Sequence, residues 1–207
     1  MARQRLARED RARAIAQAAV GLFARRGFSG VTTRQIACAA GVSEGLVFKH
    51  FPHKDSLYRT ILQAKMQEIE RTGAMDPAVD SLDDEGFLAA AAGDVFRRVD
   101  ADDTFMRLLM HSALEGHPLA KEFRRRRVDR IRERVERRIR LRFARRGWQA
   151  PVDPALAARI FTGMILASVL NRRLFHEPVV ARQPAERWAR VLARVFLYGL
   201  EGEPEKS

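Results

Sequence analysis

The residues best equipped to do chemistry lie close together between Thr32 and Phe51. Glu44 and Lys49 stand out. A carboxylate can accept from cytosine N4, and an ammonium can donate to guanine O6 and N7, so the two could read base edges from a helix in a major groove. The same stretch offers a competing chemistry. Gly41-Val42-Ser43-Glu44-Gly45 fits G-x-S-x-G, the strand-to-helix elbow that carries a nucleophilic serine in hydrolases. That elbow needs a buried strand ahead of the serine, whereas residues 35–40 are alanine-rich and helical in pattern, with no strand–helix alternation after them. A serine hydrolase therefore ranks last among the readings. Of the five histidines only His50 and His53 are close, and neither a cysteine nor a third ligand accompanies them. With no Walker or Rossmann loop either, no catalysis, cofactor or metal is expected.

The elements that must position Glu44 and Lys49 follow from local signals. Thr32 with Gln35 three residues on makes a capping box ahead of an Ile36, Ala37 and Ala40 face. Gly41 suits a left-handed break, Val42 can plug back into the core, and Ser43 can cap a second helix over 44–50. Two short helices and a tight turn are the arrangement of a helix-turn-helix, and Gly45 would let its second helix start close to a duplex. Ile15, Ala19, Leu22 and Phe23 predict a preceding helix stopped by Gly27, with Phe28 turning inward. Pro52 closes the motif, and Leu57, Ile61, Leu62 and Met66 carry a further helix to about residue 71 that bridges two domains. Cys38, inside the first motif helix, reads as a small core residue rather than a redox sensor. Arg3, Arg5, Arg8, Arg11 and Arg13 fit either an arm reaching a minor groove or a solvated tail, the tail being the simpler reading of a terminus.

Thr32-Thr33-Arg34, Ile36-Ala37, Ala40-Gly41-Val42-Ser43, Gly45, Phe48, His50-Phe51, Lys54 and Leu57 fall in one register. In that register residues 9–60 resemble the DNA-binding domain of TetR-family transcriptional regulators. The resemblance implies phosphate contacts at Thr33, Arg34, His50 and Lys54, beside a DNA-facing set of Ser43, Glu44, Gly45, Leu46, Phe48 and Lys49. The family more usually has a hydroxyl residue at 46 and a tyrosine at 48, so Leu46 and Phe48 would touch a thymine methyl or simply pack. It also implies an all-α chain: an N-terminal three-helix helix-turn-helix DNA-binding domain over 1–53 with a basic N-terminal arm, then a helical regulatory, ligand-binding and dimerisation domain over 54–207.

Composition agrees on its own terms. The 207 residues are 31% charged and 46% hydrophobic, with a formal net charge of +12 that favours nucleic acid, or equally an anionic membrane, as partner. One cysteine precludes an internal disulfide and fits the cytoplasm; the 14–24 run is amphipathic rather than a signal sequence. The longest apolar stretch, 160–171, falls short of the roughly 20 residues a spanning helix needs, so no membrane crossing is expected. Residues 73–81 read as a linker, and helices are predicted over 83–99, 102–115, 118–146, 154–175 and 184–200. Residues 124–146 hold thirteen arginines against three acids. Val128, Ile131, Val135, Ile139 and Phe143 run through them as an inward stripe, and Glu133–Arg137 and Glu136–Arg140 are spaced as ion pairs. A solvated helix face is the preferred reading, with a second nucleic-acid surface as the alternative.

The last two helices carry more apolar surface than one face can hide: Ile160, Gly163, Met164, Ala167 and Leu170 in one, and Trp188, Val191, Leu192, Val195 and Phe196 in the other. With Ser168 and Gly199 also small, they suit an isologous four-helix interface in a homodimer, against the alternative of a monomer core. Phe87, Phe96, Phe105, Met106, Leu109, Met110, Phe123 and Phe161, with His111 and Asn171, fit plain core or an effector pocket; the resemblance favours the pocket. The expected protein is a ligand-responsive regulator, a repressor released from palindromic double-stranded DNA by a small apolar or amphipathic effector. The alternative is a helical DNA-binding module controlled by a protein partner.

Overall fold

The computed structural model describes residues 2–71, 77–147 and 152–200, and every regular element among the described residues is a helix, without strands. α1 (Ala2–Arg26) ends where Gly27 turns left-handed at φ 71°. It begins at Ala2, so the basic N-terminal segment is neither an extended arm nor a tail but the first turns of a helix. α2 (Thr33–Ala40) has both halves of its capping box: Gln35 N donates to Thr32 Oγ1 at 3.2 Å, and Thr32 N donates to Gln35 Oε1 at 3.0 Å. Gly41 closes it at φ 66°, and Ser43 Oγ then accepts from Leu46 N at 3.2 Å to open α3 (Glu44–His50). Ser43 thus follows a helix and a turn, not the strand a hydrolase elbow requires. α4 (Lys54–Arg71) follows, then a 3-10 turn (Pro77–Ser81) in the second half of the anticipated linker; residues 72–76 lie outside the described set.

α5 (Asp84–Ala101), capped by Asp83, precedes α6 (Thr104–Leu114) and α7 (Pro118–Phe123). The single helix expected over 118–146 is interrupted by a π turn (Arg124–Val128) before α8 (Asp129–Arg146). A π turn adds a residue to the helical repeat and re-phases the side chains after it. Val128 is half-buried within it, while Ile131, Val135, Ile139 and Phe143 resume a fully inward stripe. α9 (Pro154–Arg173), a four-residue α10 (Pro178–Ala181) absent from the expected helices, and α11 (Ala185–Leu200) complete the described elements. At 20 residues α9 is long and apolar enough to cross a bilayer, longer than the 160–171 stretch suggested, but its inner face packs on α5, α8 and α10.

Packing groups residues 1–72 with 104–123 in one compact unit and 73–103 with 124–207 in another. The core of the first holds Ile15, Ala19, Phe23, Ile36, Val47, Leu57, Tyr58, Ile61 and Leu108. α6 and α7 therefore pack with the helix-turn-helix rather than with the other C-terminal helices. The core of the second joins Phe87, Leu88 and Phe96 of α5, the α8 stripe, Phe161 and Ile165 of α9, and Leu192 and Phe196 of α11.

The arginine-rich helix is more than a solvated face. Glu136 pairs with Arg140 at 2.8 Å as the spacing predicts, but other arginines reach across to the 3-10 turn and the start of α5. Arg134 meets Asp80 at 2.7 Å, Arg138 and Arg142 meet Asp84 at 3.0 and 2.7 Å, and Arg138 also donates to the Leu82 and Asp83 carbonyls. The hydrogen bond from Arg134 holds the Asp80 carboxyl below the usual carboxylate range, against a smaller opposing effect of burial. Arg134 and Arg138 further lie over the Phe87 ring, 5.6 and 5.0 Å from its centroid.

Candidate DNA-binding surface

Val47 is the one fully buried side chain of α3, and its inward direction fixes what the rest of the helix presents. At about 100° per residue, Gly45 and Lys49 fall nearly opposite Val47, and both are exposed. Phe48, 45% exposed, borders that line on one side, and half-buried Leu46 and His50 border it on the other. A methyl group at Gly45 would meet nothing within 4 Å. No contact inside the protein explains the glycine there, although a glycine within a helix costs about 0.5–1 kcal/mol relative to alanine.

Glu44 is placed differently from Lys49. Half-buried at the start of α3, its carboxylate accepts the Thr33 hydroxyl of α2, so the two residues tie the helices of the motif together. Of the anticipated base readers, Lys49 alone points straight outward. Arg34 and Ser43 are exposed at the helix starts, where backbone N–H groups favour a phosphate. Lys54 has internal work: its ammonium donates to the Phe28 and Val31 carbonyls, both at 2.8 Å, and lies 4.3 Å from the Phe28 ring centroid. It holds the α1–α2 turn, a role that charge at a family phosphate position did not suggest. Cys38 is exposed rather than core, because Ile36 and Ala37 take the inward face of α2 and the residue after them turns outward.

His50 has its pKa held below the usual histidine value, first by burial and then by the positive charges of Arg8, Lys49 and Arg11. Two arginines of α1 thus act on the end of the recognition helix.

The motif is braced from a distant part of the sequence. Glu115, after α6, accepts from Phe28 N at 3.0 Å and Ser29 N at 3.1 Å. His117 Nε2 lies 3.0 Å from Asp55 Oδ1 at the start of α4, and this hydrogen bond holds the Asp55 carboxyl below its usual range. The Tyr58 hydroxyl donates to the Leu108 carbonyl at 3.1 Å; burial, reinforced by the Glu115 charge, pushes its pKa up to about 12. None of these braces has a local sequence signature, since the partners lie 50 to 87 positions apart.

Residues 15–61 match the family described as bacterial regulatory proteins, tetR family, and residues 91–199 match the AefR-like transcriptional repressor C-terminal domain. The chain belongs to the TetR family of transcriptional regulators. Two curated relatives come from Mycobacterium tuberculosis: HTH-type transcriptional repressor Rv3405c, 33% identical over 55% of this chain and 52% of its own length, and the regulatory protein RaaS, 33% identical over 61% and 56%. The chain spans about half the length of the curated relatives it matches. The fold is that of solved TetR-family regulators. AibR, in complex with isovaleryl coenzyme A and operator DNA, aligns with TM-score 0.65 at 23% identity over 89% of this chain and 97% of that one. KstR2 of Mycobacterium tuberculosis aligns at 0.68 and 19% over 93% and 96%.

Within this TetR-family chain the anticipated effector residues divide by burial. Phe87, Phe96 and Phe161 are enclosed in the second unit, Phe96 under Arg172 and Phe161 against Phe196 with ring centroids 5.0 Å apart. They serve as core of the second unit, where Ala91, Ala92 and Ala158 are buried as well. Met106 is buried in the first unit, where Phe105 and Phe123 make an edge contact at 5.2 Å. Phe105, Leu109, Met110, His111 and Phe123 are half-buried there, as Asn171 is in the second unit. Two clefts in the second unit, of about 390 and 500 Å³, are lined by other residues, chiefly Asp83, Glu85, Arg97, Arg190 and Arg194.

The anticipated dimer residues divide likewise. Ile160, Gly163, Ala167, Val191 and Val195 are exposed, whereas Met164, Leu170 and Trp188 are half-buried and Trp188 donates to Ser168 Oγ at 3.0 Å. Leu192 and Phe196 face their own unit's core, one helical position away from the exposed Val191 and Val195 line.

Proposed function

We propose that the protein is a homodimeric repressor that reads a palindromic operator through one α3 from each copy and is released by an apolar or amphipathic effector. The observation that carries the reading is the outward line of Gly45 and Lys49 on α3, with Val47 anchoring the opposite side. It is the form of a helix built to lie in a major groove. Dimerisation has support from the exposed apolar line on α9 and α11, which includes Ile160 at 48% and Val195 at 59% exposed. Gly163 and Gly199 lie on those helices, and a methyl group at either would meet nothing within 4 Å. Two copies set their recognition helices one or more DNA turns apart, so operator symmetry mirrors the dimer.

For the effector, the half-buried Phe105, Leu109, Met110, His111 and Phe123 of α6 and α7 are the favoured contacts, soft and apolar with one polar neighbour. Solved structures of similar fold include regulators in complex with isovaleryl coenzyme A and with stearoyl-CoA, both amphipathic molecules. Release then requires that the effector bind better to the conformation whose recognition helices no longer fit both half-sites.

Recovery and sequencing of genomic DNA bound by the pure protein tests the first half. A palindromic consensus supports it; failure to enrich any site removes it. Thermal shift against a panel of acyl thioesters, fatty acids and sterols tests the second: stabilisation with loss of operator binding is expected. Silence across the panel favours control by a protein partner instead.

A further inference from the structure

We propose that Arg8 and Arg11 of α1 form, with His50 of α3, a clamp for DNA backbone phosphates beside the recognition helix. The proposal rests on the DNA reading above and adds a contact element outside the helix-turn-helix itself. Along α1 the inward line runs Phe23, Ala19, Ile15 at steps of four, all fully buried. Continued toward the start of the helix, the same side passes half-buried Ala12 and then Arg11 and Arg8, both exposed. The inward face therefore outruns the core it covers: Arg8 lies about 10 Å beyond Ile15 along the axis, at 1.5 Å per residue.

The charge of this end of α1 is felt at the end of α3. His50 is half-buried, and Arg8 and Arg11 are close enough for their charges to act on it, as is Lys49. Among the described residues no carboxylate pairs with Arg8 or Arg11, whereas their neighbour Asp10 pairs with Arg13 at 3.7 Å. Arg8, Arg11 and Lys49 gather positive charge around His50, and a polyanion relieves the repulsion among them. Guanidinium groups suit phosphate oxygens, which they can grip with two parallel hydrogen bonds, and contacts of this kind fix register without reading sequence.

The test compares the intact protein with the double variant Arg8→Gln, Arg11→Gln. Arg25→Gln, Arg26→Gln serves as control, at the far end of α1 and equally exposed. Binding is titrated between about 50 and 200 mM salt on two duplexes of about 30 base pairs, one of arbitrary sequence and one from the genomic selection. The clamp variant is expected to flatten the slope of log affinity against log salt by about 2 on both duplexes, and to lose tenfold or more in affinity at low salt. The control keeps the intact slope. In the free clamp variant the His50 titration, followed by NMR, moves up toward the ordinary histidine value.

Unchanged slopes in a protein that binds both duplexes overturn the clamp and leave the DNA reading standing. A loss confined to the selected duplex also overturns it, since the arginines would then be reading sequence. If the intact protein binds neither duplex, the DNA reading fails and takes the clamp with it.

Discussion

At Gly45 a methyl group would sit on a helical backbone with nothing within 4 Å, so Gly45→Ala is expected to stabilise the fold by about 0.5–1 kcal/mol. If α3 approaches DNA as closely as its outward line suggests, the same methyl should weaken operator binding tenfold or more. Thermal melts and operator titrations on one preparation read both effects, and a stabler variant with undiminished affinity would remove the close approach. Lys54 separates from Lys49 by the same kind of argument. Lys54→Ala leaves the Phe28 and Val31 carbonyls without their donor and should cost about 1–3 kcal/mol of stability, with the salt dependence of DNA binding unchanged. Lys49→Ala should leave the melt alone and alter preference at one base pair. A shallower salt slope for Lys54→Ala would return that residue to the phosphates.

Among the elements, α4 and α6 are joined through the Tyr58 hydroxyl, and this bond has a pH signature. The folded pKa is raised to about 12 from 10, so the folded state holds the phenol proton more tightly than the unfolded chain does. That stability is fully present below pH 10 and is lost as pH rises toward 12. Tyr58→Phe should cost about 0.5–1.5 kcal/mol near neutrality, through loss of the hydroxyl's hydrogen bond to the Leu108 carbonyl, and should lose less stability than the parent between pH 10 and 12. Chemical denaturation across that range checks it; parallel curves would discount the buried phenol. These elements also mark what the sequence could express. The capping box at Thr32 and Gln35, the glycine break at 41 and the Ser43 cap were legible because each is settled within four residues. The Glu115 and His117 braces were not, since nothing near either residue in the chain points to Phe28 or Asp55. The π turn escaped because four consecutive arginines carry no periodicity to shift. Cys38 was misjudged by residue type, when the phase of Ile36 and Ala37 already turned it outward.

For the molecule as a whole, burial sharpens the proposed dimer face. Val195 is 59% exposed while Phe196 beside it is 6% exposed, so the two should respond to substitution in different ways. Val195→Asp is expected to leave the melt of the isolated chain nearly unchanged and to shift sedimentation from dimer toward monomer. Phe196→Ala should cost about 3–5 kcal/mol through a core cavity, whatever the oligomeric state. A Val195→Asp protein that sediments like the parent would move the interface elsewhere. The face was half legible: helical spacing named the right helices, but adjacent residues such as Val191 and Leu192 can be divided between core and surface only once the helix is seated.

The two hydrogen bonds from the Phe28 and Ser29 amides to Glu115 also bear on how such a protein can be cut and recombined. A head excised after residue 72, or grafted there onto another regulator's body, would lose the acceptor of both amides along with Leu108, a fully buried member of its own core. The unit that packs as one piece is discontinuous in sequence. A portable helix-turn-helix module from this chain would have to carry residues 104–123 with it, and a chimaera joined at the obvious helix boundary would inherit α3 without the support that holds its neighbours in place.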